Sequence, residues 1–405
     1  MTALDASSMI ASARRAPALD RHSAAAFEVE FRPLATLEPI VAAWRELAAN
    51  TVEPNIFYDP AFALAAARLL GADVFAGLVW SDSTQQQLVG FFPVRIDRRR
   101  YGVPIPVLVG WTHPYAPLGT PLVRHDLAEP VIAAWLGHVA RDPGLPDLML
   151  MRLLAVDGPF AAALDAVRAS RDCKARSFDR QQRAMLVPGA DPAGYVDAAM
   201  GRKKRKELRR QMRRLQDIGV VRWSETKDAT EAAGALEDFF RLEAGGWKGR
   251  AGTAATASDD SRAFMTRAVS GLAAEGKAAI YRLLIDERAV AALILLKEGS
   301  VSWCWKIAYD EAFARYSPGV LLALTVTEGL LADPRLAYAD SCATAGHPMI
   351  DHIWRERVTL ADQLISTRPD TEFSFALASG LEALRRSALS AAKSLRDQLR
   401  GRQSR

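Results

Sequence analysis

The chain has 405 residues, of which 50% are hydrophobic and 24% are charged, and its formal net charge is +5. This length exceeds the ~250–300 residues that one hydrophobic core usually serves, so we expect two domains or two fused halves. The three cysteines lie far apart without a CxxC or Cys/His cluster, which argues against a disulfide framework and a structural zinc site and favours a reducing compartment. The apolar runs fall short of the ~20 residues that span a bilayer, and we expect a cytoplasmic protein.

The first half of the chain predicts mainly strands. Residues 1–26, rich in Ala, Ser and Arg, predict a disordered segment. A helical run at 127–140 leads to the apolar run 147–155, which predicts a buried strand. Ahead of that helix, four strand-like runs predict an antiparallel meander, at 73–81, 87–100, 103–111 and 116–123.

A strongly basic run lies near the middle of the chain. Nine of the thirteen residues from Arg202 to Arg214 are Lys or Arg, while Leu208, Met212 and Leu215 keep helical spacing along one stripe. The pattern predicts a helix that docks by a narrow apolar seam. Its cationic face has three interpretations: a solvated surface, a cradle for phosphates of a cofactor or substrate, or a nucleic-acid surface.

The second half of the chain repeats the order of predicted elements. After a helical run at 229–244, three β-rich runs within 277–310 are separated by the turn sequences DER and KEG. A helix at about 319–331 then leads to another buried strand at 335–343. Because three strands, a helix and a strand occur twice in this order, we expect an α+β protein of two halves related by duplication. A basic helix from Gly380 closes the chain and predicts a packing or surface helix.

A Pro-Gly pair separates the last strand of the second set from its helix. The first turn of a helix leaves N–H groups unpaired, and the helix dipole adds partial positive charge there. Pro318 suits the first helical position because it has no N–H, and Gly319 lets a ligand approach the backbone closely. Arg315, just upstream, adds a charge that can contact a phosphate. The segment is interpreted either as a plain helix start or as an anion-binding site.

Three stretches between about residues 195 and 345 carry a family resemblance. They are GRKKRKELRRQMRRLQDIG, the WKGR of LEAGGWKGRAGTAAT, and WCWKIAYDEAFARYSPGVLLALTVTEG. In this order they resemble the CelD-like branch of the GNAT-superfamily acetyltransferases, which is linked to cellulose biosynthesis. Tandem GNAT-like halves also occur in the related aminoacyltransferases that build peptidoglycan bridges. The resemblance therefore implies an α+β fold of two tandem GNAT-like acyl-CoA N-acyltransferase halves, with acetyl-CoA or another acyl-CoA as co-substrate and no metal.

The resemblance also assigns residues to the co-substrate. It makes VSWCWKIAY the fourth strand of the GNAT fold and RYSPG the pyrophosphate loop. The first half has no such strand-Arg-x-x-Pro-Gly-helix sequence and is expected to support substrate binding. After Asp340 many relatives have a Gly-rich turn and a Tyr-Lys pair, whereas this chain continues SCATAGHPMIDHIW. The implied cofactor-binding residues are Ile307, Ala308, Arg315, Tyr316, Ser317, Pro318, Gly319 and Val320.

Two residues are candidates for catalysis. In the superfamily an amine attacks the thioester directly, which requires a base for its proton and an acid for the leaving thiolate. Asp340 at a strand end accepts a proton if burial raises its pKa, whereas His347 in the following loop does so at its ordinary pKa. Asp340 is the preferred base because a strand end fixes a side chain better than a loop, and a scaffold role for Asp340 stays open. Asp351 and His352 are weaker candidates.

Four further residues are candidates for binding the acceptor. Trp247 and Arg250 lie in the Gly-rich GGWKGRAG, where the indole either stacks on a sugar or base or anchors the loop. Lys306 and Asp310 bind the acceptor if their strand face opens on the cleft. Two other indoles, at positions 303 and 305, share a strand face and are expected to fill the core.

Three functions remain open from the sequence. The leading one is an acyl-CoA-dependent N-acyltransferase acting on an amino sugar, amino acid or other small amine, with a small-molecule or glycan acceptor, in exopolysaccharide or cell-envelope metabolism. The alternatives are an aminoacyl-tRNA-dependent transferase, motivated by the tandem halves and the basic helix, and a non-catalytic scaffold in polysaccharide assembly. Nucleic acid is expected only under the tRNA alternative. The predicted domains are a disordered segment 1–26, a GNAT-like half 27–185, a GNAT acetyltransferase half 186–370 and a basic helix 371–405.

Overall fold

The structure is a computed structural model that describes residues 27–81, 87–189 and 191–403. For residues 192–193 and 393–403 it describes the backbone alone. The predicted disordered segment 1–26 lies outside the described residues. Within the described ranges, no helix has the length and apolar character needed to cross a membrane.

The described part of the chain alternates strands and helices. Its strands are β1 Phe27–Pro33, β2 Phe75–Ser81, β3 Leu88–Asp97, β4 Val107–Gly110, β5 Leu122–Val123, β6 Leu148–Ala155, β7 Ala175–Leu186, β8 Val221–Glu225, β9 Ala278–Ile285, β10 Arg288–Glu298, β11 Val301–Tyr309, β12 Tyr338–Asp340 and β13 Glu356–Ser366. Its α-helices are α1 Val41–Ala49, α2 Pro60–Leu70, α3 Ala128–Arg141, α4 Pro159–Ser170, α5 Pro192–Ala199, α6 Arg202–Gln216, α7 Ala229–Gly245, α8 Trp247–Arg250, α9 Asp259–Ala274, α10 Pro318–Ala332 and α11 Glu372–Gln403.

The chain forms two compact units, each built from separate segments. Among the described residues, unit 1 comprises 34–72 and 181–359, and unit 2 comprises 27–33, 73–180 and 360–403. The division falls inside β7 and β13, so each of these strands contributes residues to both units. The halves 27–185 and 186–370 expected from the sequence stay a prediction about the duplication.

Unit 1 contains a mixed sheet in the order β7-β12-β11-β10-β9-β8. Strands β8 to β11 pair antiparallel in succession, β11 pairs parallel with β12, and β12 pairs antiparallel with the last residues of β7. Asp286 and Glu287 connect β9 to β10 with φ values of 47° and 67°. Positive φ at both central residues is typical of the tight type I′ hairpin turn, so the DER signal in the sequence marks a real hairpin.

Unit 2 repeats this arrangement with its own strands. Its order is β1-β2-β3-β4-β6-β13, in which β4 and β6 are parallel and the other neighbours are antiparallel. The common order confirms the predicted α+β fold with two similar halves. The predicted meander holds for β2 to β4, but the run 116–123 yields only the two-residue β5, which pairs with β3.

The two faces of the unit 1 sheet have different cores. On one face, Leu293 and Leu295 of β10 pack with leucines of α6 and α10, including the predicted Leu208 and Leu215, with Met212 partly buried beside them. On the other face an aromatic cluster forms around Trp303 and Trp305, whose exposed fractions are 0% and 7%. The expectation that both indoles fill the core is confirmed. Their ring partners are Phe57, Phe62 and Phe264.

Candidate functional site

A cavity of ≈ 570 Å³ lies in unit 1 where two parallel strands stop pairing. Strands β11 and β12 pair from Val301 with Tyr338 to Trp303 with Asp340. The next residues on each strand, from Cys304 on β11 and from Ser341 after β12, line the cavity. A register shift in the β10–β11 pairing leaves Trp305 as an extra residue between Cys304 and Lys306. Such a bulge twists a strand and redirects its side chains, here next to the opening.

The start of helix α10 forms one wall of this cavity. Ser317 precedes the helix in the left-handed conformation, with φ 52° and ψ 48°, and Pro318 occupies the first helical turn. Ser317, Pro318, Gly319 and Val320 all line the cavity. Because the first-turn N–H groups and the helix dipole favour negative charge, this wall is suited to a phosphate group.

Eight of the predicted site residues line the cavity and six do not. Tyr316 is buried in the core and Arg315 is exposed, with its guanidinium 4.7 Å from the centre of the Tyr316 ring. The residues that line the cavity are Trp247, Lys306, Ile307, Ser317, Pro318, Gly319, Val320 and His347. Those outside its lining in the described structure are Ala308, Arg250, Asp310, Arg315, Tyr316 and Asp340.

Asp340 is held in a buried ion pair. One of its carboxylate oxygens accepts a hydrogen bond from the guanidinium of Arg183 on β7, and both side chains are 5% exposed. The other oxygen accepts from the backbone N–H of Cys342 at 2.9 Å. Cys342 has φ 54°, so this bond fixes a left-handed turn at the point where the chain leaves β12. These contacts favour a positioning role for Asp340 at the cavity edge, which is the scaffold alternative considered from the sequence, and its preferred role as the base stays a prediction.

His347 lines the cavity, and one of its ring nitrogens accepts hydrogen bonds from the backbone. Its Nδ1 accepts from the backbone N–H of Met349 at 3.3 Å and of Ile350 at 3.5 Å. A ring nitrogen that accepts a hydrogen bond carries no proton, so the N–H of this ring is at Nε2. In this state the ring offers a hydrogen-bond donor at Nε2, which suits a leaving thiolate better than an incoming ammonium.

Lys306 is the cationic side chain that β11 contributes to the cavity. Burial lowers its pKa to about 8, and the ammonium group of Lys248 lowers it in the same direction. Lys248 also lines the cavity, and its Nζ lies 2.9 Å from the buried carboxylate of Glu243. Lys306 therefore has a much larger neutral fraction near neutral pH than an ordinary lysine, whose pKa is ~10.4.

We expect the amine of Lys306 to titrate with a midpoint near 8. Competitive labelling with trace acetic anhydride across pH 6–11, with each lysine followed by mass spectrometry, measures this midpoint. Replacing Lys248 with Met should raise it, because a neighbouring positive charge is removed. The folded chain holds this proton more weakly than the unfolded chain, so Lys306 makes stability rise between pH ~8 and ~10.4. A midpoint at the ordinary value would contradict the buried environment.

The α8 turn carries the aromatic side of the cavity. Trp247 is 60% exposed, so its indole is not a buried anchor. Its backbone N–H donates to Glu311 at 2.6 Å, and Arg250 pairs with the same carboxylate at 2.7 Å. A Cβ on Gly249 would lie 1.8 Å from the carbonyl oxygen of Ala244, so only glycine fits there. The ion pair of Arg250 with Glu311 thus stabilises the helical turn that contains Trp247.

Asp310 has a local structural role. Its side chain accepts from the backbone N–H of Ala312 at 3.0 Å, and it pairs with Arg288 at 2.7 Å. These contacts cap the 3-10 turn Glu311–Tyr316 that leads to α10. The predicted acceptor contact of Asp310 finds no support in this geometry.

Two cysteines line the cavity as neutral thiols. Burial raises the pKa of Cys304 and of Cys342, and the carboxylate of Asp340 acts in the same direction on both. A protonated thiol is a poor nucleophile, in line with the expectation of direct transfer without a covalent intermediate. Within the described ranges, no group of three or more His, Cys, Asp or Glu side chains is arranged to hold a metal ion.

In unit 2 the corresponding gap, between the parallel strands β4 and β6, is filled by a loop of the chain. Strands β4 and β6 pair at Leu108 with Met149 and Val109 with Leu150. Beyond these pairs the backbone N–H of Gly119 donates to the carbonyl of Leu153 at 3.1 Å. A Cβ on Gly119 would lie 2.0 Å from the carbonyl oxygen of Arg152, so the loop is pressed against β6. The sequence THPYAPLGTPLV therefore fills the position that the cavity occupies in unit 1.

Family comparison identifies the segment that contains this site. Residues 202–344 match the family model described as an acetyltransferase (GNAT) domain. The chain therefore contains a GNAT-type acyltransferase domain. The matched segment supplies α8, β11, the start of α10 and β12, so the GNAT domain includes most of the cavity wall. No curated protein gives a significant match to the whole sequence.

Solved structures share the fold at low sequence identity. FemX is 10% identical with a TM-score of 0.54, over 80% of this chain and 95% of its own. The C-terminal domain of a protein described as a lysylphosphatidylglycerol synthetase, from Agrobacterium fabrum, is 10% identical with a TM-score of 0.52, over 84% and 94%. A protein of unknown function from Bacteroides thetaiotaomicron is 10% identical with a TM-score of 0.50, over 84% and 100%. At 10% sequence identity this likeness shows a shared fold over most of the chain and does not show a shared function.

Proposed function

We propose that the protein is an acyl-CoA-dependent N-acyltransferase that transfers an acyl group, expected to be acetyl, to an amino sugar, amino acid or other small amine. The observation that carries the proposal is the cavity between the parting strands β11 and β12, bounded by the start of α10. The motifs that resemble the CelD-like branch support exopolysaccharide or cell-envelope metabolism as its setting.

The acyl-CoA co-substrate fits the edge of β11 that is not paired with another strand. Beyond Trp303 this edge no longer pairs with β12, so the backbone near Ile307 and Ala308 is available to the amide groups of a pantetheine arm. An extended ligand that adds to a free strand edge gains main-chain hydrogen bonds. The pyrophosphate then lies against the N–H groups of Gly319 and Val320, where the helix dipole favours its charge.

The acceptor fits the side of the cavity that carries Trp247 and Lys306. The exposed indole offers an apolar face for stacking on a sugar ring, and Lys306 offers a polar contact deeper inside. The neutral amine of the acceptor attacks the thioester carbonyl, the C–N bond forms and the C–S bond breaks, and the proton that the amine nitrogen loses ends on the thiolate. The Nε2–H of His347 is placed to stabilise the leaving thiolate with a hydrogen bond, without giving up its proton.

Thermal unfolding with and without acetyl-CoA tests the proposal. At a ligand concentration of 100 Kd, binding to the folded state adds about 2.7 kcal/mol. For a chain of 405 residues, whose unfolding entropy is ~2.1 cal/mol/K per residue, we expect the Tm to rise by roughly 3 °C. Incubation with radiolabelled acetyl-CoA and a panel of amino sugars and amino acids then identifies the acceptor. An unchanged Tm, together with RNA retained on purification, would favour the aminoacyl-tRNA alternative instead.

A further inference from the structure

The cavity between β11 and β12 contains amines that belong to the chain itself. Among its described lining residues, Lys248 and Lys306 are the side chains that end in a primary amine. The proposed function joins an acyl group to an amine, and both lysines line the space proposed for that reaction. Their surroundings differ, and this difference decides which of them can react with a thioester.

Lys248 is held as a cation by a buried carboxylate. Its Nζ donates to Oε1 of Glu243 at 2.9 Å, and the Glu243 side chain is 3% exposed. The other oxygen of Glu243 accepts from the backbone N–H of Ala255 at 2.8 Å, which fixes the carboxylate in place. An ammonium group has no lone pair with which to attack a carbonyl carbon. Lys248 is therefore expected to be unreactive toward a thioester.

Lys306 lies at the gap between the two strands. It follows the bulge residue Trp305, and its Nζ lies 5.5 Å from the centre of that indole. It interacts electrostatically with Cys342, which follows β12 on the other side of the gap. Burial and the charge of Lys248 lower the pKa of Lys306 to about 8, outweighing the opposite effect of Glu243. A large fraction of this amine is therefore neutral, with its lone pair available, near pH 8.

We propose that Lys306 is a self-acylation site, at which the chain transfers the acyl group of a bound acyl-CoA to its own amine when no acceptor is present. The inference rests on the proposed function and adds to it a covalent modification. The neutral Nζ attacks the thioester carbonyl, the C–N bond forms and the C–S bond breaks. The proton that Nζ loses ends on the CoA thiolate, so the products are an Nε-acyl-lysine and free CoA.

Acylation of Lys306 changes the side of the cavity proposed for the acceptor. The amide that forms carries no positive charge, and its acyl group occupies space in the cavity. The polar contact proposed between Lys306 and the acceptor is lost with the charge. A chain that meets acyl-CoA before it meets an acceptor is therefore expected to transfer more slowly afterwards.

Incubation of the full chain with acetyl-CoA alone, followed by digestion and mass spectrometry, tests the inference. At pH ~8 the acetyl group should appear on Lys306 at least about tenfold faster than on Lys248 or on surface lysines, because a lysine with the ordinary pKa of ~10.4 is almost entirely protonated there. The rate should saturate as the acetyl-CoA concentration rises. Unacylated CoA should suppress the reaction, since it competes for the same site.

Two glycine substitutions in α10 form a matched pair for this experiment. A Cβ at Gly319 would lie 3.3 Å from the ring of Tyr309 on the cavity wall, whereas a Cβ at Gly329 meets no atom within 4 Å. At subsaturating acetyl-CoA, Gly319→Val should slow the acylation of Lys306 and Gly329→Val should leave its rate unchanged. Acetic anhydride needs no CoA site, so it should label Lys306 equally in both variants.

The outcomes separate this inference from the proposed function. An unmodified Lys306 in a chain whose Tm rises with acetyl-CoA overturns the self-acylation and leaves the proposed function intact. Equal acetylation of Lys306 and of surface lysines, without protection by CoA, is ordinary chemical acylation and also overturns it. If acetyl-CoA neither raises the Tm nor modifies Lys306, both proposals fail.

Discussion

Asp340→Asn should lower the free energy of unfolding by about 3–5 kcal/mol, which is the scale for removing one partner of a buried ion pair. The guanidinium of Arg183 would lose its countercharge while both side chains stay buried at 5% exposure. Asparagine retains an acceptor for the N–H of Cys342, so the loss comes from charge and not from the turn. Urea unfolding followed by circular dichroism measures the change, and acetyl-CoA affinity should fall with it because the cavity edge is displaced.

Asp333→Asn is the control for this substitution. Asp333 pairs with Arg335 at the surface, with exposed side-chain fractions of 37% and 86%, and its replacement should leave the free energy of unfolding nearly unchanged. Adding Arg183→Met to Asp340→Asn should recover part of the loss, since no unpaired charge is left buried. If Asp340→Asn leaves stability unchanged and lowers turnover about 100-fold, Asp340 is the general base and the positioning role is wrong.

Gly319→Val should reduce the affinity for acetyl-CoA at least tenfold while the chain stays folded. A Cβ at this position would lie 3.3 Å from the ring of Tyr309 and 3.8 Å from Ile307. The ring is 38% exposed and can move, but the displaced ring and the valine branches then occupy the wall proposed for the pyrophosphate. The effect thus combines direct obstruction with displacement of Tyr309, whereas the sequence alone suggests obstruction only. Calorimetric titration measures the affinity.

Gly329→Val is its matched control in the same helix. A Cβ at Gly329 meets no atom within 4 Å, so the same chemical change has no steric consequence there. This variant should bind acetyl-CoA as the unmodified chain does and have a similar Tm. Equal affinities of the two variants would remove the start of α10 from the binding site.

The sequence predicts the central strands well and the outer strands poorly. Strands β9 to β11 are recognisable because long runs of Val, Ile, Leu and Ala are separated by short polar turns. Strand β8 lies at the sheet edge with most of its side chains partly exposed, so it lacks a clear apolar alternation. Strand β13 buries polar residues, among them Asp362 and Gln363, and its composition therefore resembles that of a loop.

The site is predictable where its chemistry is local in sequence. The Ser-Pro-Gly break indicates a helix start that can bind an anion, and the structure places that start on the cavity wall. The role of Asp340 depends on Arg183, which is 157 residues away in sequence, and no spacing rule links the two. Lys248 lines the cavity because it lies in the short helix α8, and Cys342 because its backbone is left-handed. Neither feature produces a periodic pattern of apolar residues in the sequence. Contacts between residues so far apart in sequence arise only in the folded chain, and a local sequence pattern does not indicate them.

A crystal structure with a non-hydrolysable acetyl-CoA analogue tests the central claim most directly. We expect the pantetheine arm in the gap between β11 and β12 and the pyrophosphate within hydrogen-bond distance of the N–H groups of Gly319 and Val320. Density for the analogue at any other site, or an empty gap between β11 and β12 at saturating concentration, would contradict it.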